Sequence, residues 1–212
     1  MVEIEYKGAN SVILTTKKIK LITDPKLSIV GLKDLPVNNA VELITEERFA
    51  VKDVETELVI HSPGEYGLED FDIKGIAARR RIDDERQGLQ SIIYRIEADN
   101  IRIGLLGNID EGLSEEQLDS LGVLDVLIVP VGGNGYTIDA VDAAKLVRDI
   151  APKIIIPVHY ADKGLNYEVP QDDIELFVKE MGLEVAETTN KLKIKQVPLE
   201  SDQTKIIKLE RS

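Results

Sequence analysis

The chain of 212 residues has no cysteine and only two histidines, His61 and His159. Zinc sites draw mainly on imidazole and thiolate, so this inventory cannot assemble a two-zinc centre of the usual kind. A carboxylate-rich site for a harder ion such as Mg²⁺ or Mn²⁺ stays open. No apolar run approaches the roughly 20 residues a membrane helix needs. Met1 to Tyr6 alternate apolar and charged residues as a strand does, unlike a signal peptide. Both features lead us to expect a cytoplasmic protein that does not bind membranes. Basic residues are also in short supply, 26 against 39 acidic, for a net charge of −13. A field of that sign repels phosphate backbones and anionic lipid, so a nucleic-acid partner is not expected. Low-complexity segments and internal linkers are absent, and a single domain over residues 1–212 is the simplest division.

What is present centres on Leu124 to Tyr160. An apolar run, Leu124 to Pro130, leads through a glycine turn, Val131-Gly132-Gly133-Asn134-Gly135, into a helix over Asp139 to Ile150. A second apolar run then ends Ile156-Pro157-Val158-His159-Tyr160. Short β-branched runs of this kind read as strands buried on both faces, and Ala140, Ala143, Ala144, Val147 and Ile150 form one helical stripe. A parallel βαβ unit results. Ligands sit at the carboxyl ends of such strands, which puts Gly132, Gly133, Asn134 and His159 at one rim. The plainer reading is a tight turn and a histidine that only caps a strand.

Upstream, Val2–Tyr6, Ser11–Thr16 and Lys18–Thr23 read as an antiparallel meander ending at Asp24-Pro25. Asp24 either accepts backbone hydrogen bonds in a turn or braces a site loop. Leu58–His61 and Phe71–Ala78 read as strands separated by a turn over Ser62 to Gly67, with His61 in a structural role. Arg79, Arg80 and Arg81, with Arg86 beyond, form the one basic cluster. Asp83, Asp84 and Glu85 within it favour a solvated loop, and the sharper alternative is an anion-binding mouth. Gln90–Glu97 and Ile101–Leu106 form a hairpin across Ala98-Asp99-Asn100. Ser114 to Gln117 has capping-box spacing for a helix ending near Gly122. A further helix through Ile174, Phe177, Val178 and Met181 precedes strands at Leu183–Ala186, Leu192–Val197 and Lys205–Leu209.

Taken together, Thr23-Asp24-Pro25, Pro63-Gly64-Glu65-Tyr66, Gly107-Asn108, Asp125 to Gly133, Tyr136-Thr137-Ile138-Asp139 and Ile156 to Tyr160 resemble the metallo-β-lactamase superfamily. Within it they are most similar to the hydrolases grouped with the ascorbate-phosphate lactonase. The resemblance implies an α/β fold, a four-layer αβ/βα sandwich with its site in loops along one edge of two sheets. It also implies a zinc or manganese centre built on His-x-His-x-Asp-His. Here that motif falls on Glu46, Arg48, Ala50 and Val51, a further family histidine falls near Arg80 to Ile82, and the bridging aspartate becomes Asn108. His159 remains, in its Pro-x-His-Tyr setting.

Two metal ions in such enzymes generate hydroxide at neutral pH and polarise the bond under attack. With those ligands replaced, the first reading is a metal-free, non-catalytic relative without a cofactor. Arg48 and Arg79 to Arg81 would keep its pocket attractive to a phosphorylated or otherwise anionic small molecule, or the protein acts through interaction with a partner. The alternative is a phosphodiesterase- or lactonase-like hydrolase with one harder ion held by Glu46, Asp24 or Asp110 together with His159. A homo-oligomer is compatible with either by analogy of fold.

Overall fold

The computed structural model describes residues 1–51, 56, 58–81, 90–110, 112–195 and 203–212. In chain order the first strands are β1 (Val2–Gly8), β2 (Ser11–Thr15), β3 (Lys20–Thr23), β4 (Val41–Leu43) and β5 (Leu58–Ile60). There follow β6 (Gly64–Leu68), β7 (Phe71–Arg79), β8 (Gln90–Ala98), β9 (Ile101–Leu105), helix α1 (Glu115–Leu121) and β10 (Val126–Pro130). Helix α2 (Ala140–Ile150), β11 (Ile154–Val158), α3 (Ile174–Met181), β12 (Val185–Thr189), β13 (Leu192–Ile194) and β14 (Lys205–Leu209) complete the fold.

Two sheets result, ordered β13-β1-β2-β3-β4-β5 and β12-β14-β11-β10-β9-β8-β7-β6. Strict alternation along β1, with Val2, Ile4 and Tyr6 inward, gives the first sheet one buried face. Val12, Leu14 and Leu21 from this sheet join Ile93, Ile96, Ile103 and Leu105 of the second in one continuous core. Because successive side chains alternate faces, Ile13 and Ile22 point to the other side. There they pack with Leu35, Val37, Ala40 and Val51. The outer cover of the first sheet is thus loop, around Leu35 to Ala40 and Val51. The second sheet carries α2 against β10 and α1 against β7. The expected sandwich of metallo-β-lactamase type is therefore present, with loops taking the place of one helical layer among the described residues.

The βαβ unit forms as its apolar pattern dictates. All five residues of β10 are buried, and β10 pairs in parallel with β11, Val126 opposite Ile154. Asp139 caps α2 by accepting from the amides of Val141 and Asp142 at 3.0 and 2.9 Å, and Ser114 with Gln117 forms the reciprocal capping box of α1. In the β8–β9 hairpin, Asp99 and Asn100 adopt φ of 51° and 61°, as a two-residue turn of matching twist requires.

Two expectations shift. Gly64 to Gly67 do not form a turn. They pair with Gly75 to Asp72 as edge strand β6, because Gly64 at φ 152° carries the chain directly from Ser62-Pro63 into the ladder. The strand expected at Leu183–Ala186 begins later, at Val185, where it pairs with Ile206. Asp83, Asp84, Glu85, Arg86 and Val197 lie outside the described residues. No helix among the described residues is long and apolar enough to cross a membrane.

Candidate active site

The parallel alignment of β3, β4 and β5, and of β9, β10 and β11, brings their carboxyl ends to one rim. β7 runs alongside in the same sense, through two antiparallel pairings, so its end arrives there too. The rim gathers Asp24 after β3, Glu46 after β4, Arg80 after β7, Asn108 after β9, Gly132 after β10 and His159 after β11. The turn between β1 and β2 adds Asn10.

Glu46, 3% exposed, is the hub. Its Oε2 accepts from Arg48 Nε and from Arg80 Nη1, each at 2.9 Å, and its Oε1 accepts from Asn108 Nδ2 at 3.0 Å. Asn10 Nδ2 donates in turn to Asn108 Oδ1 at 2.8 Å. Arg48 Nη2 donates to the Tyr136 hydroxyl at 2.6 Å, and the guanidinium lies 4.7 Å from the centre of the Phe49 ring and 5.2 Å from that of Tyr136. Its Nη1 donates to no acceptor among the described residues.

Asp24 braces the loop that carries Glu46. Its carboxylate accepts from Thr45 N at 2.8 Å and Thr45 Oγ1 at 2.6 Å, and burial pushes its pKa up to about 7. His159 is 2% exposed, flanked by the rings of Tyr136 at 5.3 Å and Tyr167 at 4.9 Å. Burial first, then the charge of Arg48, lowers its pKa to about 3, so the imidazole is neutral. Asp24 and His159 both hold left-handed backbones, φ 44° and 51°. Such conformations cost about 1–3 kcal/mol for ordinary residues and gather at functional sites. His159 N donates to Ala9 O at 2.9 Å, which ties its loop to the first sheet.

The glycine turn fits around this histidine. A Cβ on Gly132 would stand 2.2 Å from the His159 carbonyl oxygen, so only glycine lets the two loops approach, and Gly133 takes φ 65°. Asn134 is exposed at the tip and joins neither the cluster nor the cavity walls. The three arginines separate: Arg79 faces solvent, Arg80 turns in to Glu46, and Arg81 pairs with Asp142 at 3.6 Å. The three do not form one basic mouth, the sharper of the two readings, because alternation at the end of β7 turns Arg80 away from Arg79. His61 faces Glu47 at 3.3 Å on the surface, away from the hub. Asn10, Tyr167 and Gln171 had no sequence signal beyond a turn and a loop.

These residues do not fit the family's pair of metal ions. Zinc takes three or four protein ligands. Both oxygens of Glu46 are committed to guanidinium and amide donors and both of Asp24 to Thr45. Among the described residues no three His, Cys, Asp or Glu side chains gather where one ion could be held. Arg48 and Arg80 bring positive charge to the same place, which opposes a cation directly. Arg48 lines a cleft of about 130 Å³ together with Tyr136, Tyr167, Glu168 and Gln171.

Comparison with known proteins agrees with the architecture. A 2.00 Å crystal structure from Thermotoga maritima, described as a Zn-dependent hydrolase of the metallo-β-lactamase superfamily, superposes with a TM-score of 0.80 at 25% identity, covering 99% of both chains. Igni18, a metallo hydrolase from Ignicoccus hospitalis, gives 0.65 at 16% identity over 85% of this chain and 90% of its own. A UPF0173 metal-dependent hydrolase of Archaeoglobus fulgidus is 31% identical over 92 residues, 43% of this chain and 39% of that relative. One from Carboxydothermus hydrogenoformans is 44% identical over 43 residues, 20% and 19% respectively. The chain thus matches less than half the length of these two relatives. The family model of the Beta-lactamase superfamily domain matches residues 3–159, from the first strand to the rim histidine. On that match and this fold, the chain belongs to the metallo-β-lactamase superfamily.

Proposed function

We propose that the protein is a metal-free, non-catalytic member of its superfamily that binds a small anion at the rim. The observation that carries this reading is Glu46 held between Arg48 and Arg80 at 2.9 Å each, where the family places metal ligands. An ion triad and two amides hold the rim loops together. Without a bound cation to lower the pKa of water, the rim has no source of hydroxide. It keeps one unused guanidinium donor on Arg48, the group best suited to a carboxylate or phosphate oxygen.

The hydrolase alternative needs Glu46, Asp24 or Asp110 with His159 to hold an ion, and Glu46 and Asp24 already accept hydrogen bonds at both oxygens. Isothermal titration with acetate and with inorganic phosphate tests the reading. Saturable binding of at least one of them should weaken about tenfold or more in Arg48→Ala, the loss expected for a charge-assisted hydrogen bond. Affinity unchanged by that substitution would sink the proposal.

A further inference from the structure

The cleft that Arg48 lines is mostly apolar. Ile29, Val30, Val169 and the rings of Tyr136 and Tyr167 form its other walls. Ile29 lies on the 3-10 turn Leu27–Val30, whose buried members are Leu27 and Val30. That anchoring leaves Ile29 outward and 42% exposed. A singly exposed apolar residue is ordinary, but here it shares one concave space with two valines and two aromatic rings. Water gains nothing from such walls, whereas an aliphatic group leaves solvent by entering them.

The same cleft carries two hydrogen-bond donors. Arg48 Nη1 has no acceptor among the described residues. The Tyr136 hydroxyl accepts from Arg48 Nη2 at 2.6 Å, so its own proton is left for another acceptor. Burial raises the pKa of that hydroxyl and keeps the proton in place at neutral pH. Two donors on neighbouring, mutually bonded groups suit the two oxygens of one carboxylate.

Charge and size narrow the class. Exposed Glu168 lines the cleft as well, and its charge opposes a dianion more than a monoanion. The volume of about 130 Å³ equals about four waters, well below the few hundred typical of metabolite pockets. We propose that the cleft binds a short-chain aliphatic monocarboxylate, with its carboxylate on Arg48 and Tyr136 and its tail against Ile29, Val30 and Val169. This rests on the anion-binding reading of Arg48 and narrows it to one class.

Isothermal titration of the full chain with acetate, butyrate, butyramide and inorganic phosphate separates the two claims. Butyrate should bind one to one and about tenfold tighter than acetate, the gain from burying two further methylenes. Butyramide, which has the tail without the charge, should bind about tenfold or more weaker than butyrate. Butyrate no tighter than acetate, or phosphate tighter than butyrate, overturns the monocarboxylate site and leaves the anion reading intact. Butyramide equal to butyrate, or no heat from any of the four, overturns both. Arg48→Ala should weaken acetate and butyrate alike, which reports on the anion reading. Ile29→Ser, a change at an exposed position, should instead lower the ratio of butyrate to acetate affinity about fourfold, the worth of roughly one buried methylene. An unchanged ratio in that variant overturns the proposal.

Discussion

Glu46→Ala is expected to destabilise the fold by about 3–5 kcal/mol, the cost of removing one partner from a buried ion pair. The carboxylate is 3% exposed and is the acceptor for two guanidiniums and the Asn108 amide. Removing it takes from Arg80, whose side chain is 11% exposed, the carboxylate it contacts at 2.9 Å. Arg48 is a third exposed and solvent screens it, so most of the loss comes from Arg80. Glu46→Gln keeps the shape and one acceptor, and should lie between wild type and alanine. Urea unfolding at constant m-value measures the series. A loss below about 1 kcal/mol in Glu46→Ala would mean the ion triad behaves as a surface pair and holds nothing together.

Between about pH 4 and 6.5 the wild type should show almost no dependence of stability on the Asp24–His159 pair, while each single variant shows a slope of opposite sign. Burial raises the pKa of Asp24 to about 7, so the folded chain keeps a proton that the unfolded chain loses above about pH 4. Its contribution therefore falls as pH rises through that window. Burial and Arg48 lower His159 to about 3, so below about pH 6.5 the unfolded chain takes up a proton that the folded one refuses. That contribution rises with pH, and the two cancel. Asp24→Asn removes the first, and its stability should climb by about 3 kcal/mol from pH 4 to 6.5 relative to wild type. His159→Asn, whose side chain tolerates the left-handed backbone, should decline by a similar amount. The comparison is of slopes, so the loss each substitution causes at fixed pH does not enter. Parallel slopes in all three proteins would show that neither group is perturbed.

The fold was legible wherever periodicity and capping act locally. The run Val126 to Pro130, the stripe on α2 and the Ser114–Gln117 box each carry their own structural signal, and each forms as read. The cover of the first sheet was not legible, because Leu35, Val37 and Ala40 have no period and are fixed only by the outward faces of Ile13 and Ile22. At the site, a resemblance in motif order named Glu46, Arg48, Asn108 and His159; the first three are hydrogen-bonded to one another, and His159 lies on the same rim beside Tyr136. Arg80 could not be told from Arg79 and Arg81, since a run of like charges reads as a solvated loop. Only the placement of the end of β7 on the rim sends one of the three inward. Asn10 was missed for a similar reason: four residues of turn sequence give no hint that a bond across the two sheets, to Asn108, depends on the last of them. Asn134 shows the converse, a residue chosen for its place in the glycine turn whose side chain faces solvent.

Elemental mass spectrometry on untagged protein, purified without chelator, shows whether the rim that Glu46, Arg48 and Arg80 occupy holds a metal ion. Less than about a tenth of an equivalent of zinc, manganese, iron or magnesium per chain is expected, because among the described residues no three candidate ligands gather to hold one. Near-stoichiometric metal, lost together with stability on dialysis against a chelator, would contradict this and return the site to hydrolysis.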